Sequence, residues 1–207
     1  MLTPFSDLPI STQVLLGLLK GYSRPYDKIG EMVSQGLLLQ VRKGLYVTTN
    51  LVSSVMPEQF LIANHLYGPS YISIDSALSF WGLIPEKVFE ITSVTVQSTR
   101  KIYTLDTVYS FHHLPKHYYA LGIQSVALTE KQTVLMATPE KCLCDKIITT
   151  SGINLRSRKQ ALAYLTEDLR IDKDNLSALN QETITTWLSV CPKRNSITKL
   201  VEAISDI

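Results

Sequence analysis

Apolar residues recur at helical spacing near the start of the chain and alternate with polar ones farther along. Val14, Leu15, Leu18 and Leu19 share one face of a helix predicted to run from Ser11, a good N-cap, to Gly21, and that face is expected to bury against the next helix. Tyr22-Ser23-Arg24 makes a turn, and Pro25 suits the first position of a second helix. There Ile29, Met32 and Val33 form the inner stripe, while Asp27, Lys28, Glu31 and Ser34 point outward. Gly30 in mid-helix costs about 1 kcal/mol relative to Ala, which points to close approach by another backbone, and Gly36 closes the helix. Two strands follow, Leu37 to Val41 and Leu45 to Val47, joined across Arg42-Lys43-Gly44. A helix that stops at glycine and runs into a hairpin with two cations at its tip is the outline of a winged helix.

Residues 49–56 read as a connector, which puts a boundary near residue 50 and divides the chain into residues 1–50 and 51–207. Pro57 opens a helix from Glu58 to Tyr67 that ends at Gly68-Pro69, and Ser73 is placed to cap another from Ile74 to Trp81, ended by Gly82. From Glu90 the period changes to two, and strands are predicted at 91–96, 101–103, 108–112, 125–128 and 133–136. Thr138-Pro139-Glu140 is a sharp helix start: Thr caps, Pro takes the first position, and Glu complements the helix dipole. After Gly152 the pattern is helical at 157–169, about 181–190 and 196–204. The expected class is α+β: an N-terminal winged helix-turn-helix, then a mixed α+β domain with a helical C-terminal tail.

Composition narrows this only in places. Hydrophobic residues at 45% and charged residues at 18% suit an ordinary soluble domain, and no apolar run approaches the roughly 18–20 residues of a membrane span. Val14 to Leu19 is broken by Lys20 and lacks a basic flank, so a signal peptide is not expected and the cytoplasm is the default location. Cys142, Cys144 and Cys191 imply no disulfide framework, and the first two are too close for usual zinc spacing; buried thiols are the expectation. The net charge of +2 is too small to identify a nucleic-acid binder. Its distribution is more useful. The first fifty residues carry five cations (Lys20, Arg24, Lys28, Arg42, Lys43) against three anions, whereas the remainder is balanced.

In helix-turn-helix modules the N-terminal residues of the second helix reach base edges, here Tyr26, Asp27, Lys28 and Glu31. Lys20 and Arg24 are placed to hold phosphates, and Arg42 and Lys43 tip the hairpin, contributing affinity rather than sequence preference. The competing reading is a protein-contact module with solvated cations. His112, His113 and His117 cluster, but Leu114-Pro115 interrupts the segment and no third ligand is indicated, so no metal or other cofactor is expected. His65 reads as a structural mid-helix residue. Glu140 and Asp145 are five apart, off a common helix face, so paired-carboxylate chemistry is unsupported. Phosphate-binding, nucleophile-elbow and dinucleotide motifs are absent, and an enzyme is not expected.

Residues 57–146 carry a more specific pattern. Ile62-Ala63-Asn64, Gly68-Pro69-Ser70-Tyr71-Ile72-Ser73, Ser76-Ala77-Leu78, Gly82-Leu83-Ile84-Pro85-Glu86, Thr92-Ser93-Val94-Thr95 and Ala137-Thr138-Pro139-Glu140-Lys141 with Asp145 resemble the AbiEi-type antitoxins. Arg42-Lys43-Gly44-Leu45-Tyr46-Val47 fits that family's winged helix, so the resemblance covers about residues 10–150. It implies a repressor of its own promoter, bound through the winged helix. It also implies a larger C-terminal domain that counters a nucleotidyltransferase-like toxin in a type IV system, without a stable toxin complex. Cys142, Cys144 and Lys146 depart from the family pattern. The alternatives are a protein-interaction module and a plain regulator with no toxin partner; the neighbouring gene separates the last from the first.

Overall fold

Ser11 caps the first helix as expected, its hydroxyl accepting from the Val14 N–H at 3.3 Å, in the computed structural model, which describes residues 1–207. Helix α1 (Thr12–Leu18) is followed by α2 (Pro25–Ser34), whose end is sealed by Gly36 at φ 70° and a Leu37 N–H bond to the Met32 carbonyl at 2.9 Å. Strands β1 (Ile10–Ser11), β2 (Leu38–Arg42) and β3 (Leu45–Thr48) form an antiparallel sheet in the order β1-β3-β2. Gly44 turns the β2–β3 hairpin at φ 85°, a conformation open to glycine at little cost. Leu15, Leu19, Ile29, Met32 and Leu38 make a small core between these helices and the sheet. Val41, Leu45 and Val47 instead join the larger core, so this sheet is packed onto the rest of the chain.

Two expectations fail here. Val14 is 42% exposed because the buried face of the short α1 is centred on Leu15 and runs on to Leu19 just beyond it. Gly30 has no neighbour within 4 Å of where a Cβ would stand, since it lies on the solvent side of α2, so no second backbone approaches it.

The larger unit is built on a six-stranded mixed sheet in the order β6-β7-β5-β4-β9-β8. Its strands are β4 (Ser70–Ile72), β5 (Ile91–Thr95), β6 (Arg100–Thr104), β7 (Thr107–His113), β8 (Ile123–Ala127) and β9 (Thr133–Ala137). Helix α3 (Gln59–Leu66) lies on one face, where Tyr67 just beyond it stacks edge-on against Phe111 at 5.2 Å. Helices α4 (Ile74–Phe80) and α6 (Pro139–Thr149) cover the other face, reached by Tyr71; the single turn α5 (Lys116–Tyr119) lies between β7 and β8. A helical tail follows: α7 (Arg158–Ala163) with a π turn at Tyr164–Asp168, then α8 (Lys173–Ser177), α9 (Gln181–Trp187) and α10 (Arg194–Ile204). The chain is therefore α+β.

Strand β4, the bridge between the two halves of the sheet, has no counterpart in the sequence expectation. At three residues, it is too short to show a period. The helix expected over residues 157–169 breaks instead into α7 and the π turn. No helix is long and apolar enough to cross a membrane.

Candidate functional site

Lys20, Arg24, Tyr26, Glu31, Arg42 and Lys43 are exposed and Lys28 is half-buried, so all seven candidate residues lie at the surface of the N-terminal unit. Helix α2 carries Tyr26, Lys28 and Glu31, with Arg24 as its N-cap residue; the β2–β3 hairpin carries the other two cations at its tip, and Lys20 follows α1.

The charges around α2 are largely spent on one another. Arg24 pairs with Asp27 at 2.6 Å, and Lys28 with Glu31 at 2.8 Å, each three residues apart and on one helical face. Glu31 also accepts from the Gln35 amide at 3.0 Å, and the Lys28 ammonium lies 5.8 Å from the Tyr22 ring centre. The hydrogen bond between them holds the Lys28 pKa above its ordinary value and the Glu31 pKa below. Lys20, Arg42 and Lys43 have no such partner. The hairpin tip is thus where uncompensated positive charge projects, whereas α2 offers donors and acceptors with little net charge. In an isolated sequence the three-residue spacings Arg24/Asp27 and Lys28/Glu31 already signal this pairing.

A second cluster lies deep in the larger unit, and sequence reasoning missed it. Lys141 and Asp145, four apart on α6, form an ion pair at 2.7 Å with both side chains at zero exposure. The other Asp145 oxygen accepts from the Tyr71 hydroxyl at 2.9 Å and from the Ser73 hydroxyl at 2.7 Å. The Lys141 ammonium sits 3.5 Å from the Tyr118 ring centre and 5.6 Å from that of Tyr71. Burial first, and the nearby Asp145 carboxylate next, push the Tyr71 pKa far up, so it stays a neutral donor. Ser73 is the N-cap residue of α4, as its sequence position suggested, but its hydroxyl bonds no helix N–H and goes to Asp145 instead. The Lys141/Asp145 spacing was the available signal. The neighbouring Glu140 accepts from the Asn180 backbone N–H at 3.0 Å. The network ties α6 to β4 and is closed to solvent, which suits it to fixing the fold rather than meeting a substrate.

His112 is half-buried on β7, His113 is exposed with Nδ1 3.0 Å from the Gln97 carbonyl, and His117 lies past Pro115 on α5. His65 lies on α3, as expected, and is exposed. All three cysteines are buried free thiols, with the Cys142 and Cys144 pKa values driven far up by burial.

No known family model matches the chain, and no curated protein matches it. Among solved structures, the crystal structure of the RV2827C protein from Mycobacterium tuberculosis is similar at a TM-score of 0.63 and 17% identity, over 98% of this chain and 74% of that one. At that identity the two chains share a fold along nearly the whole length of this one, and the likeness extends no further than the fold.

Proposed function

We propose that residues 1–50 are a winged helix that docks on duplex DNA, and that the chain is an AbiEi-type repressor of its own promoter. The observation that carries this is the β2–β3 hairpin tip, where Arg42 and Lys43 project unpaired beside an α2 whose candidate residues all lie at the surface. Helix α2 would enter the major groove through Tyr26, Lys28 and Glu31, with Lys20, Arg24, Arg42 and Lys43 holding phosphates. The unit on residues 51–207 would act as the antitoxin, opposing a nucleotidyltransferase-like toxin without a stable complex and without catalysis of its own. Support for that part is the family resemblance, whose motif residues Tyr71, Ser73, Lys141 and Asp145 converge in one buried network.

Titrating a labelled fragment of the chain's own promoter tests the reading. Arg42→Ala/Lys43→Ala is expected to weaken binding at least tenfold across all sequences tried, since phosphate contacts carry no sequence information. Full retention of binding would favour a second reading, a protein-interaction module. That alternative has an observation of its own: the ion pairs Arg24–Asp27 and Lys28–Glu31 leave α2 with little net charge to offer DNA.

A further inference from the structure

Open sheet edges invite pairing, and native chains blunt them with charge, proline, bulges or brevity. Three of the four edges here are blunted. β1 has only two residues; β2 carries Arg42, a register shift between Gln40 and Arg42, and a Val41 carbonyl that accepts from the Thr104 hydroxyl at 3.0 Å. β6 begins Arg100-Lys101. The fourth edge, β8, runs within Gly122-Ile123-Gln124-Ser125-Val126-Ala127-Leu128, a stretch without a charge or a proline.

The orientation of its backbone groups follows from Asn64. That side chain donates to the Leu135 carbonyl at 3.3 Å and accepts from the Leu135 N–H at 2.7 Å, so Leu135 spends both backbone groups on the side away from β8. Leu135 stands opposite Ser125 in the antiparallel β8–β9 ladder. Opposite residues in such a ladder exchange both bonds or neither, so Ser125 turns its N–H and carbonyl to the free edge. Ile123 and Ala127, two residues either side, do the same. Three donors and three acceptors therefore face outward with no partner in the chain, and Ser125 and Ala127 are exposed.

We propose that this edge is a self-association surface, where β8 pairs antiparallel with β8 of a second copy about a two-fold axis through Ser125. Centred there, Ser125 opposes its own copy and Ile123 opposes Ala127 on both sides, so all six outward groups are satisfied in three hydrogen-bonded pairs. The register is self-complementary, as an isologous interface requires. The neutral residues of β8 place no like charges opposite one another, whereas self-pairing of β6 would gather four cations along one seam. The two sheets become one continuous sheet carrying two copies of the N-terminal unit. The inference stands apart from the DNA reading, because association is measured without DNA.

Light scattering on the full chain across micromolar concentrations, with no nucleic acid present, tests it. A mass twice the 23.2 kDa of one chain is expected, falling toward the single chain on dilution. Ser125→Pro removes an outward donor that β9 does not use, and edge strands tolerate proline. Ala127→Lys places a cation on the seam in each copy. Each is expected to raise the dimer dissociation constant at least tenfold while leaving the circular dichroism spectrum unchanged. If Ser125→Pro unfolds the chain, Ala127→Lys decides alone. A single-chain mass for the unmodified protein, or a dimer indifferent to the folded variants, would overturn the proposal. Arg42→Ala/Lys43→Ala should leave the dimer intact, which separates this interface from the docking surface.

Discussion

Asp145→Ala would leave the Lys141 amine at zero exposure and without its carboxylate. Breaking a buried pair from one side costs about 3–5 kcal/mol, because the remaining charge is uncompensated. Here the carboxylate also takes hydrogen bonds from Tyr71 at 2.9 Å and Ser73 at 2.7 Å, and both hydroxyls lose their acceptor. Those losses push the cost toward the upper end of that range, roughly 4–5 kcal/mol. Against a total stability of about 5–15 kcal/mol, that is roughly a quarter or more of what holds the chain folded. With an m-value of roughly 2–3 kcal/mol/M for a chain of this size, the urea midpoint should fall by about 1.3–2.5 M at unchanged slope. Lys141→Met/Asp145→Leu removes both charges and should regain part of that loss, because an apolar pair has no stranded ion. Tyr71 and Ser73 still lack an acceptor in the double variant, so recovery is incomplete. A single variant within about 0.5 M of the parent, or a double variant less stable than the single, would refute this account of the network.

Two further outcomes follow from the same interior. Gly122→Ala should destabilise by roughly 3 kcal/mol, since φ is 62° and a Cβ would stand 2.8 Å from both Lys141 Cβ and Trp187 Cη2; thermal unfolding reads it, and a melting point unchanged from the parent would contradict it. Burial lowers the pKa of half-buried His112, so folding favours its neutral form, and the stability this brings is present above the unfolded value near 6.5 and lost as pH falls below it. Urea midpoints should therefore drop between about pH 7 and 5, and His112→Gln should flatten that slope. His65 is shifted in the same direction but sits on the solvent side of α3, so it should contribute less.

Much of the architecture was legible where local chemistry decides it. Ser11 and Thr138 each cap a helix with the side chain, accepting from Val14 and Lys141. Gly36 and Gly44 mark a helix end and a turn through positive φ. What sequence could not carry was set by distant partners. Three-residue β4 becomes a strand only because β5 pairs along it and β9 bridges it at Ile72 and Met136. Ser73 holds the N-cap position of α4 without the side-chain cap bond, and nothing local reveals the carboxylate seventy-two residues away that takes its hydroxyl. The pairing of Arg24 with Asp27 and of Lys28 with Glu31, by contrast, follows from their three-residue spacing on a helix.

The salt dependence of promoter binding tests the central proposal most directly. If the N-terminal unit neutralises about four phosphates, affinity should fall on the order of 100-fold between 50 and 200 mM salt. Removing Arg42 and Lys43 together should lower the slope of log affinity against log salt by roughly two. A flat salt response on the chain's own promoter, or a slope unchanged without those two side chains, would contradict the proposal that this hairpin places the chain on DNA.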